Sequence, residues 1–199
     1  MAKHIDYYFT PISPWTYLGS RRLEAIARRH GASIAVKPVD YMRIFPVSGG
    51  LPLGQRAKQR QDYRLFELKR WREHLQMPLT LHPAYFPADA DPAARLIIAA
   101  RRQGLDALGL AHALLRAVWA EDRNLADPAT LIAVADALQL DGKALLGAAE
   151  SRAVADEYQA DTDAAIQRGV FGAPTYCYRD EPFWGQDRLD FLDRALAAG

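Results

Sequence analysis

The sequence predicts an α/β fold: one sheet assembled from both ends of the chain, interrupted by a large all-helical insertion. Three observations carry this reading. Residues 5–39 read as strand, helix, strand. Residues 174–199 read as strand, strand, helix. Between about 55 and 168 there is almost no strand signal, and apolar residues recur at helical spacing. A strand–helix–strand unit lays its strands parallel, and the two ends must pair in space to complete one sheet. Residues 1–199 are therefore expected to form a single domain interrupted by the helical insertion. Half of the 199 residues are apolar, enough to bury a core without covalent staples.

Each element has a local cause. Ile5 to Phe9 is short, aromatic-rich and β-prone, and Thr10-Pro11-Ile12-Ser13-Pro14 breaks it. Ser13 before Pro14 starts a helix: a hydroxyl accepts from free backbone N–H groups, and proline suits the first helical position. Trp15, Leu18, Leu23, Ile26 and Ala27 continue it. Arg28, Arg29 and His30 suit the dipole at its end, and Gly31 stops it. Ile34 to Val39 reads as a second strand, and Gly49 to Gly54 as a loop. Leu65, Leu68, Trp71 and Leu75 mark one helical face, and Pro78, Pro83 and Pro87 punctuate an irregular stretch. Asp91-Pro92 and Asp127-Pro128 each read as an N-cap with proline at the first helical position. Further helical stripes are Leu96/Ile97/Ala100, Leu108/Ala111/Leu115/Val118, Leu131/Ala135/Leu138, Leu145/Leu146/Ala149 and Val154/Tyr158/Ala165. β character returns at Pro174 to Tyr178. Arg179-Asp180 is a turn, and Pro182-Phe183-Trp184 suits a short edge strand. The last helix is expected from about Asp187, with Leu189, Leu192, Ala195 and Leu196 on one face.

Composition excludes several classes of function. With 25 basic and 24 acidic residues the net charge is +1, so neither nucleic acid nor an anionic membrane is expected as partner. One cysteine permits no internal disulfide and no cysteine-rich zinc site. His4, His30, His74, His82 and His112 show no metal-ligand spacing, so no metal is expected. There is no phosphate loop or dinucleotide fingerprint. No run approaches the ~18 apolar residues of a membrane span, and Met1 to Phe9 lacks a secretory signal pattern. A cytoplasmic location is the expectation.

The combination of a βαβ start and a ββα end resembles the thioredoxin architecture, whose redox members carry C-P-x-C where the first helix begins. Here Ser13-Pro14-Trp15-Thr16 stands in that place, with two hydroxyls for two thiols, so dithiol exchange is impossible there. Ala173-Pro174-Thr175 matches the fold's second hallmark, a proline opening the third strand, and the resemblance implies its cis form. The likeness then narrows. Tyr8 to Leu18, Gly169-Val170-Phe171-Gly172-Ala173-Pro174-Thr175 and Phe183-Trp184-Gly185-Gln186-Asp187-Arg188-Leu189 resemble three motifs of the 2-hydroxychromene-2-carboxylate isomerases, relatives of kappa-class glutathione transferases. The motifs lie in the family's order, and the likeness runs end to end.

That resemblance implies glutathione as cofactor, a homodimer, and an aromatic 2-oxo acid as substrate. Thiolate addition to a conjugated C=C would allow rotation, and elimination would return glutathione. Ser13 would be the catalytic residue, stabilising the sulfur anion; the plainer alternative is a helix cap, and one hydroxyl can do both. Ala173 and Pro174 would meet the cysteinyl backbone of glutathione by short β-addition, or simply turn into the strand. Gln186 and Asp187 would take the γ-glutamyl end at a helix start, with an ordinary N-cap as the alternative for Asp187. Trp184 and Gly185 would shape the same pocket, or Trp184 would only pack. Lys58 is the best match for the family's basic residue after the loop, against a solvated helix charge. Arg43 would bind the substrate carboxylate through its planar fork, or be a surface cation. Tyr85 would line the acceptor pocket, or anchor its proline-flanked loop. Two departures bear on the acceptor: residues 49–54 lack the asparagine common in relatives, and near the position of Phe45 the naphthalene-pathway enzymes carry a lysine. Cys177 is expected to be inert in a buried strand. The rival readings are a kappa-like glutathione transferase and a non-catalytic thioredoxin-like binding module.

Overall fold

The computed structural model describes residues 2–199. Its sheet has four strands, β1 (His4–Phe9), β2 (Ser33–Pro38), β3 (Thr175–Tyr178) and β4 (Glu181–Trp184), in the order β2-β1-β3-β4. β1 and β2 are parallel, as the intervening helix α1 (Pro14–His30) requires. β3 returns antiparallel to β1, with Tyr8 opposite Thr175, and β4 pairs antiparallel with β3. The two ends of the chain thus build one sheet, as the sequence predicts.

β1 is the sheet's spine. Ile5, Tyr7 and Phe9 enter the main core, where the Tyr7 ring stacks between Phe9 and Tyr176. Tyr8 points to the opposite face and packs with Val39, Tyr41, Ile44 and Cys177. Both faces are covered, which is why β1 reads as a nearly continuous apolar run. Its one acid, Asp6, is neutralised by Lys37 at 2.9 Å and Arg168 at 3.1 Å.

Between β2 and β3 the chain is helical: α2 (Tyr41–Ser48), α3 (Lys58–Leu75), α4 (Asp91–Arg102), α5 (Ala107–Trp119), α6 (Pro128–Ala137), α7 (Gly142–Ala149) and α8 (Arg152–Gln167). α9 (Leu189–Ala198) closes the fold. α2 has no counterpart among the elements expected from the sequence. Its start carries a cap, with Asp40 accepting from the Met42 N–H at 2.7 Å, but Pro46 and an exposed outer face mask the helical pattern. No helix among the described residues is long and apolar enough to cross a membrane.

Local expectations hold at α1 and α6. Ser13 caps α1, Gly31 ends it in the left-handed conformation, and Asp127 caps α6 ahead of Pro128. Four expectations need correction. Asp91 is not an N-cap: the Tyr158 hydroxyl donates to its carboxylate at 3.0 Å, and Asp89 accepts from the Asp91 N–H instead. Leu138 follows α6 and is exposed, because the chain has left the helix before the stripe returns to the core. Pro174, lacking an N–H for the ladder, precedes β3 rather than belonging to it. Asp187 sits in a 3₁₀ turn, Gln186–Arg188, and α9 starts only at Leu189, with no side-chain cap.

Candidate active site

The β1–α1 turn is built around Ser13. Its N–H donates to Thr10 O at 3.1 Å, which closes the turn, and its backbone is extended, as an N-cap requires. Its Oγ accepts from the Thr16 N–H at 3.2 Å, while its own proton has no acceptor among the described residues. Ser13 is 7% exposed. The Trp15 N–H beside it has no partner among the described residues, so the helix end keeps a free donor and its positive potential.

The second piece is the turn into β3. The Ala173–Pro174 peptide is cis. The Gly172 carbonyl accepts from Tyr41 Oη at 2.9 Å and Thr175 Oγ1 at 2.6 Å, and the Pro174 carbonyl accepts from the Gly185 N–H at 2.8 Å. These bonds hold both flanks of half-buried Ala173 but leave its own N–H and C=O without partners among the described residues. Because Tyr8 pairs with Thr175, the end of β1 and the start of β3 lie at the same end of the sheet. Thr175 also faces Trp184, so Gly185 to Asp187 follow at that end too. The three sequence motifs therefore converge on one rim.

The DSBA-like thioredoxin domain family matches residues 4–197. The 2-hydroxychromene-2-carboxylate isomerase of Sphingobium xenophagum is 34% identical over 197 residues, covering 98% of this chain and 99% of that one. A solved structure of a 2-hydroxychromene-2-carboxylate isomerase superposes with a TM-score of 0.83 at 31% identity, covering 98% of this chain and 95% of that one. The chain belongs to the 2-hydroxychromene-2-carboxylate isomerase family. Human (Homo sapiens) glutathione S-transferase kappa 1 is a more distant relative, 24% identical over 213 residues, which cover 98% of this chain and 92% of that protein.

The remaining candidate residues fall in different places. Trp184 is half exposed, packs on Phe171 with ring centroids 4.8 Å apart, and covers Gly172. A Cβ on Gly172 would stand 2.3 Å from the Trp184 Nε1, so only glycine allows that approach. Gly185 turns the chain with φ 98°, a region that disfavours side chains. Gln186 is buried, and its Oε1 accepts from Arg22 Nη1 at 2.8 Å, which ties the rim to α1. Asp187 is exposed and pairs with Arg188 at 3.4 Å. Arg43 pairs with Asp163 of α8 at 2.7 Å, Lys58 pairs with Asp62 one turn along α3, and Tyr85 is half exposed in the loop before α4. No hydrogen bond or ion pair joins these three to the Ser13 turn among the described residues. Cys177 is buried in β3, and burial pushes its thiol pKa up.

Two further residues stand near this rim, and the sequence reading assigns them no role there. Fully buried Trp119 donates from Nε1 to Ile12 O at 3.2 Å, so α5 props the turn that carries Ser13. The signal was available: a buried indole needs an acceptor. Arg64 lies with its guanidinium 5.6 Å from the Trp119 ring centre and 5.2 Å from that of Phe86. It stands four residues before Leu68 and seven before Trp71, on the apolar stripe of α3, where an apolar residue is the rule.

Proposed function

We propose that this protein is a glutathione-dependent cis–trans isomerase of aromatic 2-oxo acids of the 2-hydroxychromene-2-carboxylate type. Family membership supports an isomerase. The observation that carries the glutathione dependence is one rim with a free Ser13 hydroxyl proton at a helix N-terminus and an unpartnered Ala173 backbone. The name of the kappa relative, a glutathione transferase, points the same way. When bound, glutathione supplies a thiolate whose reversible addition to the conjugated C=C turns it into a single bond free to rotate.

The chain's own residues fit that cofactor. Ala173 offers one N–H and one C=O to an extended peptide, the pairing a strand edge provides. Ser13 and the Trp15 N–H favour an anion at the sulfur position: a free thiol has a pKa of about 8.5, and a donor plus the helix dipole lowers it. A serine suits this role because its hydroxyl donates without competing as a nucleophile at neutral pH. Asp187 and Gln186 are assigned to the γ-glutamyl end, and Trp184 and Gly185 to the wall. Lys58 is assigned to glutathione, Arg43 and Tyr85 to the acceptor. The partners of Lys58 and Arg43 are exposed surface ion pairs, worth little and readily exchanged for a ligand.

The test is isomerisation of 2-hydroxychromene-2-carboxylate followed by absorbance, with parallel titration of free thiol. The expected result is turnover that requires glutathione and leaves the thiol count unchanged. Ser13→Ala should lower kcat roughly 10²-fold, the scale for losing one donor to a developing anion, while stability falls by only about 1 kcal/mol. Steady thiol consumption would make the protein a transferase. No glutathione binding at millimolar concentration would leave a binding module. Near wild-type turnover in Ser13→Ala would remove Ser13 from the chemistry.

A further inference from the structure

An open cavity of about 300 Å³ lies between α3 and the loop before α4, with apolar walls from Leu53, Leu65, Leu81 and Phe86. Arg64 also lines it. The Nη2 of this guanidinium is buried without a hydrogen-bond partner, and Arg64 makes no ion pair among the described residues. Buried cations are ordinarily paired, because an unpaired one loses its hydration for nothing. The carboxylate nearest in the cavity wall, Asp62, is engaged by Lys58, and His82 adds no negative charge. Arg56 adds a second positive charge nearby, spending its Nε on the Leu51 carbonyl. Burial lowers the Arg64 pKa only to about 10, so the group is cationic at neutral pH.

The position ties this cation to the catalytic rim. Arg64 lies over Trp119, and Trp119 donates to Ile12 O, the residue before Ser13. A cation set on an apolar stripe, stacked on rings but without a carboxylate among the described residues, in a cavity and one side chain from the Ser13 turn breaks the local packing rule. Such breaks are expected at functional sites.

We infer that Arg64 is the receptor for a ligand carboxylate in this cavity, an anion subsite adjoining the Ser13 rim. The inference rests on the isomerase reading above, which assigns the γ-glutamyl carboxylate to Gln186 and Asp187 and leaves two carboxylates to be received: that of the 2-oxo acid and the glycyl end of glutathione. The planar guanidinium suits either, since it can meet both carboxylate oxygens at once.

The experiment measures binding by calorimetry, each ligand alone, for the wild type and Arg64→Met. One arm compares benzylidenepyruvate with benzylideneacetone, the same frame without the carboxylate. The other compares glutathione with γ-glutamylcysteine, which lacks the glycyl end. The wild type should prefer the carboxylate-bearing member of one pair by about 10- to 100-fold, the scale of a hydrogen-bonded charge. Arg64→Met should abolish that preference and leave the other pair unchanged, and the affected pair identifies the source. The Tm of Arg64→Met should be equal or higher, since an unpaired buried cation is removed. Preferences unchanged in Arg64→Met, or a lower Tm with preferences intact, would overturn the subsite and leave Arg64 a packing residue. An Arg64-dependent preference in a protein without isomerase turnover would keep the subsite and reject the isomerase reading. Turnover with an Arg64-independent preference would do the reverse.

Discussion

Ser13 meets two demands with one hydroxyl. Its lone pair caps α1, and its proton, without an acceptor among the described residues, is the one the proposed function gives to the glutathione sulfur. A second polar pair on the same helix has a different consequence. Ser20 Oγ lies 2.7 Å from His112 Nδ1, with the Tyr17 ring stacked alongside. Burial pushes the His112 pKa down from 6.5 to about 4; Arg21 and Arg116 reinforce this and Glu24 opposes it. The folded-state value lies below the unfolded one, so between those values the unfolded chain binds the proton and the folded chain does not. The stabilising effect of the neutral ring is present above pH 6.5 and is lost as pH falls toward 4. His112→Gln keeps a polar partner for Ser20 and removes the titration. Urea unfolding at pH 7 and pH 5 should show the wild type losing more stability than the variant. Parallel losses would mean that His112 does not carry this part of the pH dependence.

At the scale of elements, Arg101 fastens the helical insertion to the sheet. From α4 its Nη1 donates to Val36 O of β2 at 2.5 Å, and its Nη2 reaches Glu157 at 2.5 Å and Asp161 at 2.6 Å on α8. Arg102, its neighbour, meets only Glu157 among the described residues, from a more exposed position. Bonds to a partly buried charge are worth more than an exposed pair. Arg101→Met should therefore lower unfolding free energy by about 2 kcal/mol, and Arg102→Met by less than about 1 kcal/mol. Equal losses in urea titrations of the two variants would show that burial gives Arg101 no special weight.

For the whole molecule, the consequence of the fold is a rim shaped like a redox site with the sulfur removed. Ser13 and Thr16 stand where the thioredoxin likeness implies two thiols in redox members, and the one cysteine is 3% exposed in β3 with its thiol pushed up by burial. Disulfide exchange needs an accessible thiolate and a resolving partner. Insulin reduction by dithiothreitol should therefore proceed at the background rate with this protein present, and Cys177→Ala should behave identically. Accelerated precipitation that disappears in Cys177→Ala would show that β3 opens and exposes a reactive thiol.

Much of this was legible without a structure, because its signals are local. Ser13-Pro14 announces the start of α1, and Gly31 its end. Asp127-Pro128 marks α6, and the aromatic run of Ile5 to Phe9 marks β1, buried on both faces. The three motifs also identify the family and name the rim. What the sequence left undecided depends on residues brought together from afar. Asp91 reads as a cap until Tyr158 arrives from α8 and takes its carboxylate. Arg43 looks like a free cation until Asp163 of α8 is placed beside it. Arg64 reads as one more charge on a polar helix until Trp119 and Phe86 close over it and no carboxylate comes. A cap, a period or a breaker is written in adjacent residues. Whether a buried charge has a partner depends on every neighbour in space, and only the tertiary structure decides that.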